Sequence, residues 1–236
     1  MNLPFPSGIY AILDMARVSP SATTGAEADA LLLARVAEYA EAAAAAGAVA
    51  LQLRWKSLAM GHPARARACA AAVEAVAGRV PVLCNDDLAA AVAAGVGLHL
   101  GQGDGDARAM RQPLGTQTML GLSTHTAAQV TAARVAAVDY LGFGPVRATT
   151  SKHAPDPVTG LASLAAAVLL AHVPVVAIGG LRASDLADIR ATGAHAAAVI
   201  GAWLGWPGEP YSPAEAGAAV ALLHAAWHTR EPARHG

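Results

Sequence analysis

The chain has 236 residues, 55% of them hydrophobic, and its 16 basic and 17 acidic residues give a net charge of −1. Strand–helix barrels of roughly 200 to 250 residues commonly form one domain, so we expect a single domain over residues 1–236 with a flexible tail at about 231–236. The nearly neutral charge argues against nucleic acid as a partner, and any bound anion therefore requires a local cluster of charge.

Membrane insertion and secretion are also not expected. Much of the hydrophobicity is alanine, and the apolar runs are shorter than the roughly 20 residues of a spanning helix, so we expect no membrane partner. Residues 1–7 lack a cationic segment followed by an apolar one, which argues against a secretion signal. The two cysteines, Cys69 and Cys84, do not indicate a disulfide framework. We therefore expect a cytoplasmic protein.

Short aliphatic runs alternate along the chain with longer alanine-rich stretches of helical period, a pattern typical of strand–helix units around a parallel sheet. Eight strands are predicted, at residues 9–13, 48–53, 80–84, 98–100, 119–122, 140–143, 173–178 and 196–200. The clearest helices are predicted at residues 28–46, 63–77, 127–137, 161–171 and 185–192.

An open, doubly wound sheet would have similar local patterns. The count of eight units favours a closed barrel instead, as does the position of nearly every polar cluster directly after a strand. In such barrels the functional side chains follow the carboxyl ends of the strands. The predicted fold is therefore α/β, a (β/α)8 TIM barrel.

Three polar residues at alternate positions, Gln52, Arg54 and Lys56, lie at or beyond the end of the second predicted strand. Side chains at every second position of a strand point to the same side. The planar guanidinium of arginine and the compact charge of lysine both suit phosphate oxygens. The alternative interpretation is an ordinary surface exit from a strand.

Acidic residues follow the next two strands. Asp86 and Asp87 come after the third strand, and Asp104 comes after the fourth. Neighbouring barrel strands bring Asp86 and Asp104 together, and two carboxylates with a substrate pyrophosphate make a suitable Mg²⁺ site. Either aspartate alone is more typical of a cap or turn, and Asp87 is a candidate cap for the next helix.

Polar side chains also follow the fifth and sixth strands. Ser123 is suited to donate to a phosphate and His125 to move a proton, although a helix cap and a structural histidine are the alternatives. The long polar loop after the sixth strand carries Thr149, Ser151 and Lys152, which suit a phosphate. Its position predicts a lid or substrate loop, with a merely flexible loop as the alternative.

Glycines follow the last two strands, with Gly179 and Gly180 after the seventh and Gly201 after the eighth. Glycine lets backbone amides approach a phosphate at a helix amino terminus, which is the usual anion site after these strands of a barrel. This end of the sheet therefore predicts a phosphate site.

Taken in order, these motifs resemble those of the thiamine-phosphate synthase family. The set covers about residues 10–200 and comprises Gln-Leu-Arg-x-Lys, Asn-Asp, His-Leu-Gly-Gln-x-Asp, Gly-x-Ser-x-His, Gly-Phe-Gly-Pro-Val with Thr-x-Ser-Lys, and Ile-Gly-Gly. The resemblance implies a transferase of thiamine biosynthesis that uses Mg²⁺. It would join 4-amino-2-methyl-5-(diphosphomethyl)pyrimidine to thiazole phosphate and release pyrophosphate.

The resemblance also implies roles for individual residues. Those implied to bind the aminopyrimidine pyrophosphate are Gln52, Arg54, Lys56, Asn85, Ser123 and Lys152. The implied Mg²⁺ ligands are Asp86 and Asp104. The thiazole phosphate would meet Thr149, Ser151, Gly180 and the backbone at Ile200 and Gly201. The implied catalytic residues, which stabilise the departing pyrophosphate, are Arg54, Lys56 and Lys152.

Three features depart from the family pattern. Trp55 stands where the family usually has glutamate, and Gly201 replaces a usual serine. The interval between Asn-Asp and Gln-x-Asp is one residue shorter than usual. Loss of the serine donor affects the thiazole phosphate site more than the metal site.

Two other functions compete with this interpretation. A related thiazole tautomerase would use a histidine at the position of His125 as its proton carrier, but Lys56 and Asp104 favour the synthase because only pyrophosphate departure needs those charges. A non-catalytic, phosphate-binding regulatory barrel is the second alternative, and the near-complete set of charged positions argues against it. The sequence leaves the choice between a monomer and a homo-oligomer open.

Overall fold

The computed structural model describes residues 5–19, 26–56, 60–150, 156–206 and 209–229. Eight parallel strands form a closed barrel in which each strand pairs with the next and the eighth pairs with the first. The strands are β1 (Gly8–Asp14), β2 (Ala48–Arg54), β3 (Val82–Asn85), β4 (Gly97–Leu100), β5 (Leu120–Thr124), β6 (Tyr140–Phe143), β7 (Val175–Ile178) and β8 (Ala196–Val199). The prediction of a (β/α)8 barrel is confirmed.

Helices surround the barrel and connect its strands. They are α1 (Met15–Val18), α2 (Ala26–Ala45), α3 (His62–Val76), α4 (Leu88–Ala94), α5 (Ala107–Leu114), α6 (Ala127–Ala132), α7 (Gly160–Leu170), α8 (Leu186–Ala191), α9 (Gly201–Leu204) and α10 (Pro213–His228). Short 3₁₀ turns, Ala133–Val135 and Ala183–Asp185, extend α6 and precede α8. A two-stranded antiparallel ribbon pairs β9 (Gly205–Trp206) with β10 (Glu209–Pro210). Among the described residues, no helix combines the length and apolarity needed to cross a membrane.

Side chains at every second strand position fill the barrel interior. The lower interior contains large aromatic residues on two strands, Tyr10 of β1 and Tyr140 of β6, which pack with Phe5. Small residues on β8, Ala196 and Ala198, lie in the same cluster and leave room for these rings. The barrel centre is therefore a packed core.

The same alternation carries polar residues into the upper interior. On β2, Ala50 lies in the apolar interior cluster, and the positions two and four residues further on are Gln52 and Arg54. On β3, Leu83 is followed two residues later by Asn85. The interior thus changes from apolar to polar toward the carboxyl ends of the strands, where the cavity described below opens.

Candidate active site

A cavity of about 380 Å³ lies at the carboxyl ends of the strands. Most of the residues predicted from the sequence line it, namely Gln52, Arg54, Lys56, Asn85, Asp86, Ser123, Thr149, Gly180, Ile200 and Gly201. Asp104 does not line the cavity but contacts Lys56 at its edge. Ser151 and Lys152 lie outside the described residues. The structure therefore brings together residues that are up to about 150 positions apart in the chain.

Arg54 is held at the cavity wall by Asp14, the last residue of the neighbouring strand β1. Its Nη1 donates to Asp14 Oδ2 at 2.6 Å, and only 13% and 8% of the two side chains are exposed. Asp14 also accepts from the Ala16 amide at the start of α1. Asp14 thus fixes the guanidinium, a role that was not predicted from the sequence although Asp14 also lies at the end of a strand.

Lys56 forms an ion pair with Asp86, and its Nζ lies 3.8 Å from Asp104 Oδ1. The Asp104 carboxylate is anchored because its Oδ2 accepts from the Gly101 amide at 2.7 Å. The expectation that Asp86 and Asp104 meet at adjacent strand ends is confirmed. The ammonium of Lys56 contacts both carboxylates and offsets their mutual repulsion.

Asp86 has a left-handed backbone, with φ of 61°, which is uncommon outside glycine although aspartate tolerates it better than most residues. Its amide donates to the His99 carbonyl at 2.9 Å, which ties the end of β3 to β4. Asp86 and Asp87 are neighbours in the chain but have different partners. The Asp86 carboxylate pairs with Lys56, whereas Asp87 caps α4 by accepting from the Ala90 amide at 3.0 Å. The prediction that Asp87 is a cap is confirmed.

The two carboxylates differ in proton affinity. Burial, followed by the hydrogen bond with Asp104, raises the pKa of Asp86 to about 6. Burial alone would raise the pKa of Asp104, but the hydrogen bonds from Asp86 and from the Gly101 amide outweigh it and lower that pKa. In the absence of a bound cation the pair therefore holds a proton most readily on Asp86.

A chain of hydrogen bonds crosses the floor of the cavity. Gln52 Nε2 donates to the Tyr10 hydroxyl at 2.6 Å, and the Tyr10 and Tyr140 hydroxyls lie 3.0 Å apart. His99 Nδ1 lies 2.7 Å from the Tyr140 hydroxyl, and its Nε2 lies 2.9 Å from Ser123 Oγ. Burial lowers the pKa of His99 to about 4, so its ring is neutral near pH 7. The chain connects five different strands.

His125 directly follows β5 and is two residues beyond Ser123. Its Nδ1 donates to the Gly144 carbonyl at 2.6 Å, and its Nε2 lies 3.5 Å from Asp156 Oδ2. Both His125 and Asp156 line the cavity. The ring is thus oriented by a backbone carbonyl and faces a carboxylate from the segment before α7.

The β6 to β8 side of the cavity depends on close backbone approach. A β-carbon on Gly144 would collide with the Ile178 carbonyl, and one on Gly180 would collide with the Ala148 carbonyl. The two loops are joined because the Val146 amide donates to the Ile178 carbonyl at 2.8 Å. Gly180, with φ of 65°, therefore allows the segment carrying Thr149 to approach the end of β7.

The cavity residues that were not predicted from the sequence include three members of this hydrogen-bonded chain, Tyr10, His99 and Tyr140. Strand alternation was the available signal, because Tyr10 shares its face of β1 with Ile12 and lies in the interior. Their mutual contact required the closed barrel, since Tyr10 and Tyr140 are 130 positions apart.

Together, the fold and the site define a (β/α)8 barrel with a polar cavity at the carboxyl ends of its strands. The family model described as "Thiamine monophosphate synthase" matches residues 23–203, which is more than half of the chain. The chain belongs to the thiamine monophosphate synthase family.

Individual relatives agree with this family. A thiamine-phosphate synthase of Anaeromyxobacter dehalogenans is 38% identical over 158 residues, which are 66% of this chain and 68% of that protein. One from Salinispora tropica is 41% identical over 117 residues, which are 50% of this chain and 53% of that protein. The chain thus spans between about half and two thirds of the length of several curated relatives that it matches.

Solved structures support the fold. The structure described as thiamine phosphate pyrophosphorylase from Pyrococcus furiosus superposes with a TM-score of 0.68 at 24% identity. The superposition covers 90% of this chain and 94% of that one.

Proposed function

We propose that this chain is a thiamine-phosphate synthase, a transferase that joins an aminopyrimidine methyl pyrophosphate to a thiazole phosphate. The observation that carries the proposal is the cluster of Lys56, Asp86 and Asp104 beside Arg54 at one end of the cavity. This cluster combines cations for a pyrophosphate with carboxylates for a metal ion. Family membership supports the same reaction.

The carboxylates fit Mg²⁺ as the cofactor. Asp86 and Asp104 supply hard oxygen ligands, and the part of the chain that the structure describes contains no group of three or more metal-ligating side chains. Mg²⁺ is usually bound by one or two carboxylates with the remaining ligands from water and substrate phosphates. When bound, Mg²⁺ would supply positive charge to the pyrophosphate oxygens.

The reaction needs no protein nucleophile. The thiazole nitrogen forms a bond to the methylene carbon of the pyrimidine while the bond from that carbon to the pyrophosphate oxygen breaks, and pyrophosphate leaves with the electron pair. Arg54 and Lys56 stabilise the negative charge that develops on the leaving group, and we assign Lys152 to the same role. Positive charge on the pyrimidine methylene is thereby tolerated.

The substrates would occupy two parts of the cavity. Gln52, Asn85 and Ser123 lie on β2, β3 and β5 and suit the pyrimidine. For the thiazole phosphate we assign Thr149, Ser151, Gly180 and the backbone at Ile200 and Gly201. We expect this arrangement to direct the thiazole nitrogen toward the pyrimidine methylene, so that positioning contributes to the rate. The absence of nucleic-acid and membrane partners, and a cytoplasmic location, stay predictions.

A thiazole tautomerase is the second candidate, and the oriented ring of His125 is the observation that favours it. The Gly144 carbonyl fixes one ring nitrogen, and the other faces Asp156 across 3.5 Å. Such a ring suits proton transfer. Tautomerisation, however, does not need the charges of Lys56 and Asp104, whereas departure of pyrophosphate does.

Incubation of the protein with both phosphorylated substrates and a series of Mg²⁺ concentrations tests the proposal. We expect thiamine phosphate and pyrophosphate in equal amounts, and we expect Asp86→Ala and Asp104→Ala to require more Mg²⁺ for half-maximal rate. Asp29→Ala is the matched control, because Asp29 is an exposed partner of Arg67 outside the cavity. Tautomerisation without coupling would replace the first candidate by the second.

A further inference from the structure

The hydrogen-bonded chain on the cavity floor joins two side chains assigned above to the pyrimidine, Gln52 and Ser123. We infer that Tyr10, Tyr140 and His99 are positioning residues that fix the hydrogen-bond polarity of this pair, so that the cavity selects an aminopyrimidine over its oxo analogue. The inference rests on the proposed function for the identity of the ligand. Its geometry does not depend on that function.

The donor and the acceptor of each hydrogen bond in this series can be assigned by starting at Gln52. Gln52 Nε2 is a donor only, so the Tyr10 oxygen accepts from it. The Tyr10 proton is then available to the Tyr140 oxygen, 3.0 Å away. Each hydroxyl has a single proton, so the Tyr140 proton is directed onward to the imidazole.

The His99 imidazole accepts a hydrogen bond on one ring nitrogen and donates one to Ser123 from the other. The Tyr140 hydroxyl donates to His99 Nδ1 across 2.7 Å, so Nδ1 accepts and carries no proton, and the ring proton is on Nε2. That proton is donated to Ser123 Oγ, at 2.9 Å. The Ser123 proton is consequently free to donate into the cavity.

The two ends of the hydrogen-bonded chain therefore offer a ligand different groups, an acceptor at Gln52 and a donor at Ser123. Gln52 directs one of its two Nε2 protons at Tyr10, which leaves its carbonyl oxygen as its acceptor for a ligand, and Ser123 has its hydroxyl proton as a donor. An aminopyrimidine complements both, since its exocyclic amine donates and its ring nitrogens accept. An oxo group at the amino position would set a carbonyl against the Gln52 carbonyl.

Burial prevents the chain from reversing freely. Tyr10 and Tyr140 are 1% and 0% exposed, so their hydroxyls have little access to water as an alternative partner. Phe5 packs against both rings, with centroids 5.3 Å and 4.3 Å away. Gly121 leaves the space that Tyr140 occupies, because a β-carbon there would collide with its phenol. Reversal would require all five groups to change together.

If the three residues fix the polarity, substituting one of them should change the hydrogen bonding of a chain member that it does not contact. A local packing role would not produce this change. Tyr140→Phe leaves both partners of the hydrogen bond between Gln52 and Tyr10 in place, but it removes the acceptor of the Tyr10 proton. The Gln52 amide can then rotate, and Tyr10 can donate this proton to the Gln52 carbonyl. The amide could then hydrogen-bond to either a donor or an acceptor group of the ligand. Tyr10→Phe releases the same amide directly.

The test compares the aminopyrimidine pyrophosphate with its oxo analogue as substrates for wild type, Tyr10→Phe and Tyr140→Phe. We expect the ratio of kcat/KM for the two substrates to fall at least about tenfold in each variant, because unpaired buried polar groups underlie this kind of discrimination. Tyr39→Phe is the matched control, since Tyr39 donates to the Tyr211 carbonyl outside the cavity. It should leave the ratio unchanged.

Loss of stability alone would lower both kcat/KM values together and preserve their ratio. A wild-type ratio in a folded Tyr140→Phe protein, judged by its melting temperature, would therefore overturn the inference. Dissociation constants for the two pyrimidines should show the same change in preference.

Correlation spectra of the ¹⁵N-labelled histidine rings at pH 7 give a second readout, with the His99 signal assigned through its absence in His99→Gln. We expect a neutral ring protonated on Nε2, and partial conversion to the other tautomer in Tyr140→Phe. A wild-type ring protonated on Nδ1 would overturn the inference. If wild type fails to couple the substrates, the proposed function fails, whereas the tautomer and the binding preference still decide this inference.

Discussion

The two halves of the cavity rim are constructed differently. On the β2 to β4 side, side chains define the surface, and Lys56 is held between Asp86 and Asp104. On the β6 to β8 side, backbone segments define it, and glycines at 144 and 180 allow loops to approach within distances that a β-carbon would prevent. We therefore expect activity to fall when a charge is removed from the first half, and when side-chain volume is added to the second half.

Lys56→Ala should have the largest effect and gives the most direct test of the charged half. Loss of a preorganised cation next to a departing anion typically costs roughly 10² to 10³ in kcat, and we expect a decrease of that size in the synthase rate. Lys56→Arg should recover part of it, since a planar fork does not reproduce a compact ammonium. Single-turnover rates separate this effect from substrate affinity.

Arg67→Ala serves as the control for a lost surface cation, because Arg67 pairs with Asp29 and both side chains are more than half exposed. Such exposed pairs contribute about 0 to 1 kcal/mol. A wild-type single-turnover rate in Lys56→Ala would remove this lysine from the mechanism and leave the charged half without its central cation.

Gly180→Ala tests the half defined by backbone approach. The added methyl group would collide with the Ala148 carbonyl and should displace the segment that carries Thr149. We expect the KM for thiazole phosphate to rise about tenfold, equivalent to about 1.4 kcal/mol, while the KM for the pyrimidine changes little. Steady-state kinetics with each substrate varied in turn measures the difference.

Gly95→Ala is matched to this variant, because Gly95 has the same φ of 65° but nothing lies within 4 Å of an added β-carbon. Both variants carry the cost of a left-handed alanine, roughly 1 to 2 kcal/mol of stability. Only Gly180→Ala should alter the thiazole KM. An equal change in both would mean that backbone strain, and not the loop contact, is responsible.

The two halves of the rim also differ in how far the sequence predicts them. The charged half was predictable because Lys56, Asp86 and Asp104 each lie within four residues of the end of a strand, and Asp86 and Asp104 were placed together by strand order alone. Strand starts were less accurate. The third and seventh strands begin at Val82 and Val175, two residues later than predicted, because Pro81 and Pro174 have no amide proton for sheet pairing.

Other limits arise from tertiary contacts. The sixth strand has the predicted bounds, Tyr140–Phe143, but Ile200 was predicted in the eighth strand and instead caps α9. The predicted helix at 127–137 ends as an α-helix at Ala132 and continues as a 3₁₀ turn. The polar chain from Gln52 to Ser123 has no local signature, because its contacts exist only after the barrel closes.

His125→Ala should have the smallest effect, although His125 lies at the junction of the two halves. If coupling is the reaction, the synthase rate should remain within roughly threefold of wild type, because leaving-group departure requires no proton from this ring, whereas loss of a general acid–base costs roughly 10² to 10⁴.

His224→Ala is a matched control, since His224 Nδ1 also contacts a backbone carbonyl, that of Gly47 at 2.9 Å, outside the cavity. Coupling and tautomerisation are assayed on the same preparations of both variants. A coupling rate that falls at least 10²-fold in His125→Ala but not in His224→Ala would assign proton transfer to His125. The β5 end would then be part of the chemistry, and the division of the rim into a charged half and a backbone half would be incomplete.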